Sequence, residues 1–254
     1  MVAYRSPREW EIMREAGRVV AHALRAARDA AGAGVQLREL DAIAAKTIAA
    51  MGAEPAFLHY HPSWAPAPYP ATIGVSVNDV AVHGVPDGRT LRAGDLVSLN
   101  CGASVRGYHG DAAVTFTVGA PSAADRRLIE VAEECLARAI ARAVPGNRLG
   151  DVAHAVESTA RAAGFGVVEG SGGHGIGTAM HEEPQVANTG RPGRGLRIRP
   201  GLTIAIEPMI SAGRDGSRVL ADGWSVATRD GSRAAHVEHS VAVTEDGPVV
   251  LTLP

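Results

Sequence analysis

The chain has 254 residues, 46% of them hydrophobic and 20% charged, with a formal net charge of -2. That length suffices to bury a core without covalent staples, and the balanced charge excludes a basic protein built to bind polyanions. The two cysteines, Cys101 and Cys135, have no CxxC spacing, which excludes a disulfide framework and fits a reducing compartment.

The N-terminus, MVAYRSPREWEIM, lacks an apolar leader run, and no segment could span a bilayer, so a soluble cytoplasmic protein is expected. Ser6 is placed to cap a helix, with Pro7 at its first position and Glu9 closing a capping box. This helix is predicted to run to about Ala31 and to end in the glycines of AGAGV. Leu37, Leu40, Ala44 and Ile48 form one apolar stripe, predicting a second helix from about Leu37 to Met51, stopped at Gly52. The prolines of FLHYHPSWAPAPYPATIG predict a loop. After the turn signal VHGVPDG, the stretch DLVSLNCGASVRGYHGDAAVTF reads as two strands. Asn100 and Asp111 stand in them where apolar residues would be expected.

The pattern then repeats. Residues 122–143 read as a helix with Ser122 as cap, and PGNRLGDVAHAVESTARAAGF as the next one. At an offset of 112, Leu37 falls on Leu149, Leu40 on Val152, Thr47 on Thr159 and Gly52 on Gly164. HGV at His83 then meets HGI at His174. GDLVSLN meets GLTIAIE, setting Asn100 against Glu207. YHGDAAV meets HVEHSVAV, setting Asp111 against Glu238. The expected molecule is α+β, one domain over residues 1–254, with pseudo-repeats over about 7–118 and 122–248 around a shared site.

Polar residues embedded in apolar strands or glycine turns are His83, Asn100, Asp111, His174, His181, Glu207 and Glu238. A carboxylate in a core strand is costly unless paired or bound to a cation. Carboxylates converging on one place repel each other, and a divalent cation offsets that repulsion. Three carboxylates with one imidazole suit Mn, Co, Fe or Zn. GGHGIGTAMHEEPQV is not the HExxH motif, because no histidine follows His181 at the required spacing, so His174 and His181 need separate roles.

GHGIGTAMHEEP, IAIEPM, DGWSVAT and VEHSVAV, with HGD at residues 109–111, resemble the type I methionine aminopeptidases over nearly the whole chain. The resemblance implies the pita-bread fold, two pseudo-symmetric halves whose antiparallel sheet is flanked by helices. It implies removal of N-terminal methionine from nascent peptides by metal-activated water. It implies that Asp111 and Glu238 bridge two cations, that His174 and Glu207 complete the first, and that Asn100 belongs to the second. His83 and His181 would hold the substrate and its tetrahedral intermediate, Glu207 would also move a proton, and Trp224 would lie near the site.

Two departures stand out. The family carries aspartate where this chain has Asn100, which leaves three ligand charges and predicts one tight cation site and a second that is weak or lost. In the methionine pocket, Tyr69 keeps one aromatic wall, but Gly74 stands where cysteine is common and Met180 where phenylalanine is; Trp64 or Tyr60 could substitute. RPGRGLRIR places four arginines in a loop, readable as a ribosome-docking surface for a monomer acting on nascent chains or as a solvated face. No membrane partner and no specific nucleic acid is expected. The competing readings are a paralogue cleaving another amide and a metal-impaired binding protein of the same fold.

Overall fold

The computed structural model describes residues 1–254. Four helices form: α1 (Pro7–Ala30), α2 (Leu37–Ala50), α3 (Ala123–Arg142) and α4 (Leu149–Ala162). The first three lie within two residues of their expected bounds, and α4 falls inside the expected stretch 145–165, starting at Leu149 after Pro145 and Gly146 and ending at Ala162 before Gly164. At the start of α1, Glu9 Oε2 accepts the Ser6 backbone N–H at 2.7 Å, the reciprocal bond of a capping box. The first-half strands are β1 (Glu54–Pro55), β2 (Ile73–Val77), β3 (Val80–Val82), β4 (Leu96–Val105) and β5 (Tyr108–Thr117). Those of the second half are β6 (Gly166–Val167), β7 (Gly172–Gly175), β8 (Glu182–Ala187), β9 (Thr203–Ile206), β10 (Met209–Ser211), β11 (Ser217–Val219), β12 (Val226–Thr228), β13 (Ala234–His236), β14 (Glu238–Thr244) and β15 (Gly247–Val250).

The main sheet runs β1-β4-β5-β14-β9-β7-β8, with β2 also on β4 and β15 on β14. Read outward from the β5–β14 seam, β4 with β2 on one side answers β9 with β7 on the other. All these pairings are antiparallel. Two short three-stranded sheets, β13-β10-β6 and β11-β12-β3, complete the rim. No helix is long and apolar enough to cross a membrane.

Strand alternation separates the two sheet faces. Val97, Leu99, Cys101 and Ala103 of β4, with Ala112 and Phe116 of β5, pack with the apolar stripes of α1 and α2. Ile204, Ile206, Val241 and Val243 pack with α3 and α4 in the same way. Each pair of helices thus covers the strands of its own half. The alternate residues, Ser98, Asn100, Asp111, Thr115, Glu207, Glu238 and Ser240, fall on the opposite face. Cys101 is fully buried on the helical side, as expected for the neighbour of Asn100.

Hydroxyls stitch the two halves across the seam. Ser240 Oγ accepts from Asp111 N and donates to Asp111 O, each at 2.9 Å. Thr115 Oγ1 donates to His236 O at 2.6 Å and accepts from His236 N at 3.0 Å. Helix α1 approaches β5 through glycines: a Cβ on Gly110 would lie 2.9 Å from Gly17 N, and one on Gly17 would collide with the Leu251 carbonyl oxygen. Gly17→Ala is therefore expected to cost about 3 kcal/mol by overpacking against backbone that cannot yield. A urea unfolding curve checks this; an unchanged midpoint would show that the C-terminal segment moves aside freely.

Candidate metal centre

The polar face converges where the two halves meet. Asp111, His174, Glu207 and Glu238 are all buried, with exposures of 3%, 8%, 9% and 1%. Ligand atoms of Asp111, His174 and Glu238 lie within 4.8 Å of one another, as do those of Glu207, His236 and Glu238. His174 Nδ1 lies 2.9 Å from the Gly175 carbonyl, which can only accept, so Nδ1 carries the proton. Its Nε2 lone pair then faces Asp111 Oδ2 and Glu207 Oε1, each at 3.8 Å. Those gaps are too wide for hydrogen bonds. Glu207 is fixed from behind by Asn188, whose amide donates 2.9 Å to its backbone carbonyl.

No lysine or arginine pairs with these carboxylates. Burial first, then the charges of the other carboxylates, pushes both Asp111 and Glu238 well above the usual carboxylate range. Glu238 Oε1 and His236 Nε2 are buried without a hydrogen-bond partner. Orphaned donor atoms, crowded anions and an imidazole lone pair aimed among them fit a divalent cation.

Asn100 stands on the same face, turned nitrogen-first. Its Nδ2 donates to Asp111 Oδ1 at 3.0 Å, Ala112 O at 3.1 Å and Glu238 Oε2 at 2.8 Å. Reversing the amide would set its oxygen against three acceptors. Asn100, which the resemblance assigns to a second cation, is here a donor that occupies the gap between two carboxylates.

A cavity of about 530 Å³ opens onto the cluster. One wall is aromatic: Tyr69 and Trp224 meet edge-on at 5.0 Å, and Trp64 meets Trp224 at 4.9 Å. The Tyr69 hydroxyl donates to Gly84 O at 2.9 Å and Trp224 Nε1 to Ala67 O at 3.0 Å, so both present ring surface to the cavity. His83 stands at φ 57, uncommon for a non-glycine residue, in the turn after β3. Its Nδ1 is buried without a partner. His181 stacks on Tyr60 at 4.9 Å and approaches His174 at 4.1 Å between ring centres. Burial lowers His83 to about 4 and His181 to about 3, with the neighbouring histidines adding to the effect. Both are neutral near pH 7, each with one donor and one acceptor nitrogen.

Of the expected pocket residues, Tyr69, Gly74 and Trp224 line the cavity, as do Phe57, Tyr60 and Trp64. Met180 does not; it packs with Met13 and Ile176 in a cluster covered by Phe57 and Tyr60. His236 was not anticipated, although a signal existed. It precedes Glu238 by two residues, as His109 precedes Asp111, and residues two apart in extended chain share a face.

The cluster's titration predicts a pH effect. Because the folded-state values of Asp111 and Glu238 are raised, the folded chain keeps protons that the unfolded chain releases. Their contribution to stability is full below the ordinary carboxylate pKa and is lost as pH rises through the folded values. A cation held by ionised carboxylates acts in the opposite sense. The gap in urea midpoint between Mn-loaded and chelator-treated protein is expected to widen between about pH 5 and 7.5. A constant gap would dissociate the cation from these carboxylates.

Acidic side chains and an imidazole buried at the seam of two related halves, beside an aromatic cavity with two neutral histidines, define a metallohydrolase. A family model described as metallopeptidase family M24 matches residues 11–245, and the chain belongs to that family. It is 52% identical over 260 residues to methionine aminopeptidase 1 of Mycobacterium tuberculosis (strain CDC 1551 / Oshkosh), covering 100% of this chain and 96% of that one. It is 42% identical over 252 residues to methionine aminopeptidase 1 of Bacillus subtilis (strain 168), covering 99% of each. The crystal structure of methionine aminopeptidase from Thermotoga maritima superposes with a TM-score of 0.95 at 40% identity, covering 100% of both chains. A prolidase from Pyrococcus furiosus superposes at 0.79 with 25% identity, covering 99% of this chain and 66% of that one. The fold is the pita-bread fold of these enzymes.

Proposed function

We propose that the chain is a metal-dependent aminopeptidase that removes the N-terminal methionine of peptides. The observation that carries this is the buried set of Asp111, His174, Glu207 and Glu238 facing a cavity with an aromatic wall. Those four residues would hold one tight divalent cation, Co, Mn, Fe or Zn. When bound, the cation lowers the pKa of water and polarises the scissile carbonyl. Neutral His181 donates a hydrogen bond to the carbonyl oxygen as negative charge builds there. Glu207 takes a proton from the attacking water and passes it to the departing nitrogen, toward which neutral His83 donates a hydrogen bond. The rings of Tyr69, Trp224 and Phe57 receive the leading side chain, where a thioether gains favourable contact with aromatic edges. Nascent chains in the cytoplasm are the proposed substrates of a monomeric enzyme, and the four exposed arginines of residues 191–199 the proposed docking face.

A second reading, cleavage behind a different leading residue, is favoured by Gly74. A Cβ there would have Tyr69 Oη and the Asn100 Cβ as its nearest neighbours, each at 3.7 Å, with the Asn100 carbonyl oxygen at 3.9 Å, all at ordinary contact distance, so the cavity has room for it. Hydrolysis of Met-Ala-Ser against peptides led by Leu, Ala or Pro decides between the two. Met-Ala-Ser is expected to be cleaved at least about tenfold faster, and Gly74→Val to narrow the pocket and raise KM for it about tenfold. A faster rate with another leader would favour the second reading, and no hydrolysis of any would favour a metal-impaired binding protein.

A further inference from the structure

The second cation position that the family resemblance implies, among Asn100, Asp111 and Glu238, is filled by the Asn100 amide nitrogen and its three hydrogen bonds. An ion there would have to displace those bonds and would gain no charge from the asparagine. A different set lies next to it. His236 is 1% exposed, and its Nε2 stands 3.2 Å from Glu207 Oε2 and 3.8 Å from Glu238 Oε2. That nitrogen has no hydrogen-bond partner. The ring is not free to leave: the His236 backbone is bonded both ways to Thr115, and β13 pairs with β10 at Met209.

We propose that a second divalent cation binds this chain among Glu207, His236 and Glu238, displaced from the Asn100 position. It would share both glutamates with the first cation and bring one imidazole of its own. Two divalent cations against Asp111, Glu207 and Glu238 leave one net positive charge, so the second site is the weaker. The inference rests on the metallopeptidase reading above, and on the unpartnered imidazole for its location.

The test titrates chelator-stripped, full-length protein with Co(II), following heat and the hyperfine-shifted imidazole proton signals. One imidazole is expected at the first equivalent, from His174, and a second with the second equivalent. His236→Gln is expected to weaken the second event by about tenfold or more and to change the first by less than about twofold. X-ray absorption at one and two equivalents of Zn counts imidazoles in the unaltered protein, so the result does not depend on that variant folding. One imidazole at both loadings, a single binding event, or a second event unaffected by His236→Gln would overturn the proposal. His236 would then be a positioning donor to Glu207. Absence of any binding event that His174→Gln abolishes would instead overturn the metallopeptidase reading itself.

Discussion

Asn100→Asp is expected to raise bound divalent cation from about one to about two per chain at modest excess metal, and to raise the peptidase rate with it. The sign follows from charge. Asp111, Glu207 and Glu238 carry three negatives, and the substitution supplies a fourth. One added charge about 2 Å from a divalent cation is worth about 4 kcal/mol even at the dielectric of water, or about 10³-fold in affinity. The same change reverses sign without metal. It deletes the donor that now bonds Asp111, Ala112 and Glu238, and adds a like charge to the cluster. Chelator-treated Asn100→Asp is therefore expected to be about 3 kcal/mol less stable than the parent, and metal-saturated protein more stable. Elemental analysis and paired melting curves read both halves of this prediction. Unchanged metal content would show that Asn100 does not limit the second cation. More metal with a lower peptidase rate would make the asparagine an adaptation to other chemistry.

The features that depend on periodicity were legible. Helix bounds followed from Ser6, Pro7 and Glu9, and from the spacing of Leu37 through Ile48. Alternation in DLVSLN and GDAAV placed Asn100 and Asp111 on one face and Cys101 on the other. The repeat paired Asn100 with Glu207 and Asp111 with Glu238, and the sheet order about the β5–β14 seam mirrors that pairing. What stayed hidden depends on contacts between residues distant in the chain. The orientation of the Asn100 amide is decided by Ala112 O and Glu238 Oε2 together, and nothing in DLVSLN encodes it. Met180 follows glycines and looks free to enter the pocket, but Met13 and Ile176 offer it an apolar bed beneath Phe57 and Tyr60. His236 was legible in principle from its register with Glu238; its role depends on Glu207 arriving from another strand at 3.2 Å.

Glu207→Gln is expected to lower kcat by about 10³-fold, and its metal dependence separates two contributions. Glu207 offers Oε1 toward His174 Nε2 and Oε2 toward His236 Nε2, so it is a ligand for either cation position. Were that its whole contribution, glutamine would weaken metal binding, and saturating Mn or Co would restore the rate. The geometry places the same carboxylate at the cavity wall, where it can also take a proton from water. A neutral amide keeps the shape and one oxygen ligand but cannot accept that proton. A deficit of about 10²-fold should therefore persist at saturating metal, with little change in KM for Met-Ala-Ser. His181→Ala provides the contrast. Its ring lies beside His174 without bridging the carboxylates, so metal content should hold while kcat falls by about 10²-fold through loss of the donor to the carbonyl oxygen. Full rescue of Glu207→Gln by metal would reduce Glu207 to a ligand and pass the proton-accepting role to another group at the cavity wall.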